Sequence, residues 1–176
     1  KSFSQGDYQK AVFENQEAEL ISKVLYPSDD HQEGKTLRLK QQYFLVSASI
    51  QNIIYDHVKR YGDLHTLPEH AAIHINDTHP AICIPEIMRI LMDDYGFGWD
   101  EAWNVVTQTV AYTNHTIMVE ALESWSEDLV ARTVPRIYSI IKEINRRYTA
   151  DLWNLYPGDW DKINRMAVIS SKHIKM

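Results

Sequence analysis

Ala71-Ala72-Ile73-His74-Ile75-Asn76-Asp77-Thr78-His79-Pro80 is the stretch on which the fold turns. Its first five residues make a short, nearly continuous apolar run, as a strand does when a parallel sheet is covered on both faces. The run then gives way to small polar groups and an imidazole. In an extended chain Asp77 and His79, two apart, project to the same side, and Pro80 steers His79 towards β or polyproline geometry. A second run, Ala111-Tyr112-Thr113-Asn114-His115-Thr116, ends another strand-like segment, Val110 to Thr113, in the same way. Polar groups at strand ends are where α/β sheets commonly hold ligands. An Asp satisfied at a helix start is the plainer account of one such run taken alone.

The surrounding sequence is mostly helical. Asp7 to Leu25 carries Tyr8, Val12, Leu20, Ile21 and Val24 near one face. Its middle, Glu14 to Glu19, is polar all round, as in a helix partly exposed or laid against a partner. Residues 26–34 read as a loop fixed by Pro27 and released by Gly34, where the adjacent acids Asp29 and Asp30 could form a movable gate. Leu37 to Arg60 is the longest predicted helix, with Val46, Ile50, Ile53, Ile54 and Val58 as its apolar stripe. Gly62 to Pro68 reads as loop. Pro85 suits the first turn of a helix reaching about Tyr95, and Asp100 is expected to cap another around Ala102 to Val106. Leu122 to Thr133, Pro135 to Leu155 and Trp160 to Ala167 complete the helices, with Ile137, Ile140, Ile141, Ile144 and Tyr148 facing inward. Ser170 to Met176 closes no predicted helix or strand. The fold class is therefore α/β and helix-rich, with two strands. It reads as one partial domain over residues 1–176 that a doubly wound sheet would complete.

Composition narrows the function. The 176 residues suffice for one domain with a core, and 44% hydrophobic with 24% charged residues is ordinary for a globular chain. A net charge of −6 without any basic block argues against nucleic acid. No run approaches the roughly 18–20 apolar residues of a membrane helix, and no apolar segment follows Lys1-Ser2-Phe3-Ser4-Gln5 as in a signal peptide. The single cysteine, Cys83, lies in an apolar run and reads as a buried structural thiol, consistent with a cytoplasmic protein. The start lacks Met and the end is open, so both read as cuts in a longer chain.

Among the eight histidines, His57, His65 and His70 read as surface residues and His74 as a satisfied core residue. No His pair stands i, i+4 with a third ligand close by, so no metal is expected. A metal-dependent hydrolase using Asp77, His79 and His115 is the weakest rival. Common nucleotide, hydrolase and redox signatures are missing. Glu120 and Glu123, three apart at a predicted helix start, could form a glycosidase-type acid pair. Acids in a first turn more commonly offset the helix dipole, with Glu120 or Glu123 then helping to orient the His115 region.

Six segments in order carry a resemblance: Val24-Leu25-Tyr26-Pro27, Glu33-Gly34-Lys35, Leu37-Arg38-Leu39-Lys40-Gln41-Gln42-Tyr43-Phe44, Asn76-Asp77-Thr78-His79-Pro80, Tyr112-Thr113-Asn114-His115-Thr116 and Glu120-Ala121-Leu122-Glu123. Together they resemble the α-glucan phosphorylases that act on glycogen, starch and maltodextrin, over almost the whole chain. The resemblance implies a much longer enzyme of two Rossmann-like halves, a GT-B type glycosyltransferase architecture, of which this is the later part of the amino-terminal half. It implies phosphorolysis of terminal α-1,4 bonds to glucose 1-phosphate. The acid/base phosphate would come from pyridoxal phosphate on a lysine outside this chain, so no cofactor-binding residue and no bound cofactor are expected here.

By the same resemblance His115 and Asp77 are catalytic positions, and Asp30, Asp77, His79 and His115 contact sugar. The His115 carbonyl would face the anomeric carbon, where charge develops. Residues 26–34 become the gate of the cleft, and the Asp7 to Leu25 helix a homodimer contact. Asp30 stands where an Asn is frequent; it can accept from a hydroxyl but cannot donate. His31 and Gln32 replace the aromatic residues of regulated animal enzymes, and Val119 replaces a frequent Pro. A less regulated, bacterial-type enzyme is the expectation, inactive when isolated. The alternative is a non-catalytic dimeric glucan-binding module.

Overall fold

The structure is a computed structural model and describes residues 8–115, 117–118 and 122–176. The chain divides into two compact units, residues 1–44 and 45–176.

In the first unit, helix α1 (Tyr8–Lys23) has no buried residue, which agrees with its polar middle. Its last carbonyls lack helical partners. The Gln41 side-chain amide donates to two of them, Ile21 O at 3.1 Å and Val24 O at 2.7 Å, and Lys40 pairs with Glu17 at 2.6 Å. Helix α2 (Gln32–Tyr61) begins five residues earlier than its apolar stripe suggested. Gly34 thus lies inside the first turn of α2 and does not end the preceding loop. Its reason is space: a Cβ there would sit 1.7 Å from the carbonyl oxygen of Ser28. Arg38 reaches back to Asp29 at 2.7 Å.

The second unit is built around a helical crossover. Strand β1 (Ile73–Asn76) pairs in parallel with β2 (Val110–Thr113), in the register Ile73 to Val110 through Asn76 to Thr113. Between them run a 3-10 turn (His79–Ile82), α4 (Cys83–Arg89), a wide π-type turn (Ile90–Asp94) and α5 (Trp99–Thr109). Pro85 sits in the first turn of α4, where its missing N–H costs nothing. Helix α5 starts at Trp99, and the N-terminal contact comes from Glu101, whose carboxylate accepts the Gly98 N–H at 3.0 Å. Asp100 is not the cap; its carboxylate is taken by Arg147 at 2.6 Å.

Ile50 and Ile54 of α2, Ile75, Ile87, Met88, Leu91, Val105, Val106 and Ile140 form one buried cluster. Each such aliphatic side chain contributes about 1.5–3 kcal/mol by leaving water. The Leu64–Thr66 turn and α3 (Leu67–His70) occupy the stretch read as loop. Leu64 and Leu67 are both buried, and Pro68, at an early helical position, is tolerated there.

Helix α7 (Pro135–Leu155) has the expected limits, with Ile137, Ile140 and Ile141 buried. Tyr148 is exposed instead of inward. The segment expected as a helix from Leu122 is instead strand β3 (Ser124–Ser126) followed by α6 (Glu127–Thr133). Ser126 accepts the Leu129 N–H at 3.1 Å and so sets the true start of α6. After α8 (Trp160–Met166), β4 (Ile169–Ser170) and β5 (His173–Lys175) complete a three-stranded antiparallel sheet in the order β3-β5-β4. The final residues therefore do close a strand. Ser171 and Lys172, both with positive φ, turn β4 into β5.

Candidate functional site

The two polar runs meet at the carboxyl ends of β1 and β2. Asn76, the last residue of β1, stands opposite Thr113, and the Asp77 N–H donates to the Thr113 carbonyl at 3.0 Å. His115 Nε2 is hydrogen bonded to Asn76 Oδ1. One turn of strand earlier, His74 Nε2 lies 2.6 Å from Thr113 Oγ1. Imidazoles, an amide, a hydroxyl and a carboxylate thus share one edge.

The backbone beyond Asn76 is not extended, which corrects the same-side argument for Asp77 and His79. Asp77 has φ +73°, a left-handed conformation that short polar side chains tolerate. Its carboxylate accepts the Thr78 N–H at 2.8 Å, and His79 opens the 3-10 turn with an exposed ring. Thr78 between them is buried. The positive φ at Asp77, unreadable from sequence, swings the chain off β1 and directly into the crossover.

Asp30 belongs to the first unit, where Ser28 Oγ donates to its carboxylate at 2.8 Å. Glu120 lies outside the described residues, as do Val119 and Thr116. Glu123 does not start a helix; it precedes β3, and its carbonyl accepts the Met176 N–H at 3.1 Å. The helix-dipole reading of the acid pair therefore fails at Glu123.

The other histidines depart from expectation in two places. His74 is exposed on β1. His57 is only 4% exposed, with Nε2 2.9 Å from the Asp63 carbonyl and its ring beside Tyr61 and His70. His65, read as a surface residue, is the centre of a clasp that the sequence did not foreshadow. His65 holds Asp63 at 2.7 Å with Nδ1 and Glu101 with Nε2, and its ring stacks on Phe97.

A neutral imidazole has one N–H and cannot donate to both acids. The clasp thus favours the cation. The hydrogen bonds that its ring donates to Glu101 first and Asp63 second raise the His65 pKa above its ordinary 6.5. The bonds accepted from His65 lower both carboxylates, for Asp63 led by the His65 backbone N–H. A raised folded pKa adds stability that is complete below the unfolded value and lost as pH rises through the folded one. The carboxylates' contribution is lost only on acidification through their lowered values. A His65→Gln variant is therefore expected to melt below the parent near about pH 6 and to match it near about pH 9. Paired thermal melts across that range would check this; a gap that persists at the alkaline end would show that charge is not what holds the clasp.

Among the described residues no group of three or more His, Cys, Asp or Glu is placed to hold a metal ion. Burial pushes the Cys83 thiol up to about 12, leaving it inert. Among the described residues, no helix is long and apolar enough to cross a membrane.

A helical crossover between parallel strands, with polar side chains gathered at the strands' carboxyl ends, defines an α/β protein. A family model for carbohydrate phosphorylases matches residues 1–176, and the chain belongs to that family. It is 49% identical over 160 residues to a glycogen phosphorylase of Bacillus subtilis, covering 91% of this chain and 20% of that protein. Identity is 46% to the brain form of mouse glycogen phosphorylase and 46% to a glycogen phosphorylase of Chlamydia trachomatis, each over 99% of this chain and 22% of the relative. The chain thus spans about a fifth of the length of these relatives.

Pyridoxal phosphate, implied by the resemblance, is held as a Schiff base by a lysine amine. Between Lys59 and Lys142 the sequence has no lysine, and the β1–β2 edge offers none. The edge residues do not fit that cofactor.

Proposed function

We propose that this chain supplies a glucan-facing wall of an α-glucan phosphorylase. The observation that carries the proposal is the joining of Asn76 and His115 across the carboxyl ends of β1 and β2, with Asp77 bonded to Thr113 beside them. Sugar hydroxyls both donate and accept. A cluster of imidazole, amide and carboxylate groups suits them better than it suits a metal or a phosphate, which would call for an acidic or a basic set.

In this reading His115 and Asp77 stand nearest the reacting glucosyl unit, and Asp77 and His79 help to hold it. The His115 carbonyl would stabilise positive charge developing at the anomeric carbon, an effect that is large in a water-poor cleft. Asp30 contributes a hydroxyl contact from the gate segment. Glu120 and Glu123 act behind His115, and α1 joins two copies. Glucan and inorganic phosphate are the substrates, and the setting is cytoplasmic. Phosphate activation lies with the remainder of an enzyme whose two Rossmann-like halves adopt a GT-B type arrangement. The isolated chain is inactive. The fold in hand supports the α/β part of this reading: one parallel pair, a helical crossover and a polar strand-end edge.

A segment exchange tests it. Replacing the matching fifth of the Bacillus subtilis relative with these 176 residues is expected to preserve glucose 1-phosphate formation from maltoheptaose and phosphate. His115→Ala in that chimera keeps the backbone carbonyl but removes the imidazole, and is expected to lower kcat/KM by about tenfold, the size of one lost hydrogen bond. A folded chimera that is indifferent to His115→Ala would refute the site assignment. Release of glucose 1-phosphate by the chain alone would refute its role as one wall only.

A further inference from the structure

We infer that Asn76 is a positioning residue that locks the His115 imidazole in one tautomer and leaves its other nitrogen free to accept a hydrogen bond from a ligand hydroxyl. This rests on the proposed glucan-facing role of the edge for its ligand, but not for its geometry. Asn76 Oδ1 faces His115 Nε2. An amide oxygen can only accept, so Nε2 must carry the proton, and in the neutral ring Nδ1 then carries the lone pair.

The placement of Asn76 is not incidental. It is the last residue of β1, fixed opposite Thr113 by the parallel register, and the Asp77 N–H to Thr113 carbonyl bond closes the pair just beyond it. Thr113 is also engaged by His74 through its hydroxyl. The residue under the His115 ring is thereby held on a rigid strand, while His115 itself lies past the end of β2. A loop histidine steadied by a strand amide is oriented before any ligand arrives, which reduces the ordering cost of binding. The amide is neutral, so it sets the tautomer without imposing a charge, as a carboxylate in its place would.

The test uses the 176-residue chain labelled with 15N at histidine, as parent, Asn76→Ala and Asn76→Asp. Ring-nitrogen spectra are recorded where the imidazole is neutral. The parent is expected to show widely separated Nδ1 and Nε2 resonances, the signature of one tautomer. Asn76→Ala is expected to draw them together towards an average, and Asn76→Asp, which keeps an acceptor in place, to restore the separation. An unchanged separation in Asn76→Ala would overturn the inference, as would Asn76→Asp behaving like Asn76→Ala. Titration with maltoheptaose reads the ligand side, where about fivefold weaker binding by Asn76→Ala is expected for one disordered hydrogen bond. Parent that keeps the lock but binds no maltoheptaose would count against the glucan reading and leave the positioning role standing.

Discussion

Glu86→Ala is expected to destabilise the second unit by about 3–5 kcal/mol, the largest single effect we anticipate. Glu86 is wholly buried at 0% exposure. Its Oε1 accepts from Ser47 Oγ at 2.6 Å and from Arg89 Nη2 at 3.0 Å, and its Oε2 from Arg89 Nε at 2.9 Å. This fork of bonds ties α2 to α4. Arg89 is itself only 19% exposed, and its outer end meets Asp94 at 3.2 Å. Truncating Glu86 removes the carboxylate and leaves a guanidinium that stays charged at any accessible pH. Asp94, half in solvent, screens only part of that charge. Replacing both partners by Met is expected to be far milder, within about 1–2 kcal/mol of the parent, because no charge is then stranded. Urea unfolding should show the single variant's midpoint falling with little change in slope. A loss under about 1 kcal/mol would mean that the pair merely offsets its own desolvation.

The second large effect is local. Gly34→Ala places a methyl group 1.7 Å from the Ser28 carbonyl oxygen and 2.9 Å from its carbon. Both are backbone atoms and cannot step aside as a side-chain tip would. Alanine favours a helix over glycine by about 1 kcal/mol, but an overlap of this size outweighs that gain. Overpacking typically costs about 1–3 kcal/mol. We therefore expect residues 28–31 to leave the first turn of α2, breaking the Arg38 to Asp29 ion pair. Limited proteolysis should cut Gly34→Ala between residues 24 and 31 several times faster than the parent. The urea midpoint of the second unit should stay in place. Equal cleavage rates would show that the segment can repack without cost. Because Asp30 lies in this segment, the same variant in the chimeric enzyme would weaken any sugar contact it makes.

Much of this architecture was legible in the residues. Helix α7 was readable from Pro135 to Leu155 because a proline fixes its start and isoleucines recur at helical spacing. The β1 run was readable because a short apolar stretch ended in polar groups. The antiparallel sheet was not, since β3, β4 and β5 are two or three residues each. Such strands are too short for the repeated alternation by which sequence displays a strand. Trp125 is buried by pairing with residues nearly fifty positions away, and only that pairing separates it from a helix pattern. The burial of His57 and the His65 clasp share this origin, since local polarity says nothing about a partner such as Glu101 on another helix. At the site, the residue types were visible but the joining of Asn76 to His115 was not, because it depends on a parallel register. The left-handed turn at Asp77 was hidden as well; Asp tolerates it without announcing it.

The parallel pairing of β1 with β2 also sets the order in which the edge can come into being. A parallel pair cannot zip from a tight hairpin; residues 73 and 110 meet only after the chain between them has been brought round. Closing that long loop costs entropy before any strand hydrogen bond is gained. The packing of α4, the wide turn and α5 supplies the compensating burial. Asn76, Asp77 and His115 therefore become neighbours only once the crossover has assembled. A chain whose crossover has not formed carries these residues but has no edge.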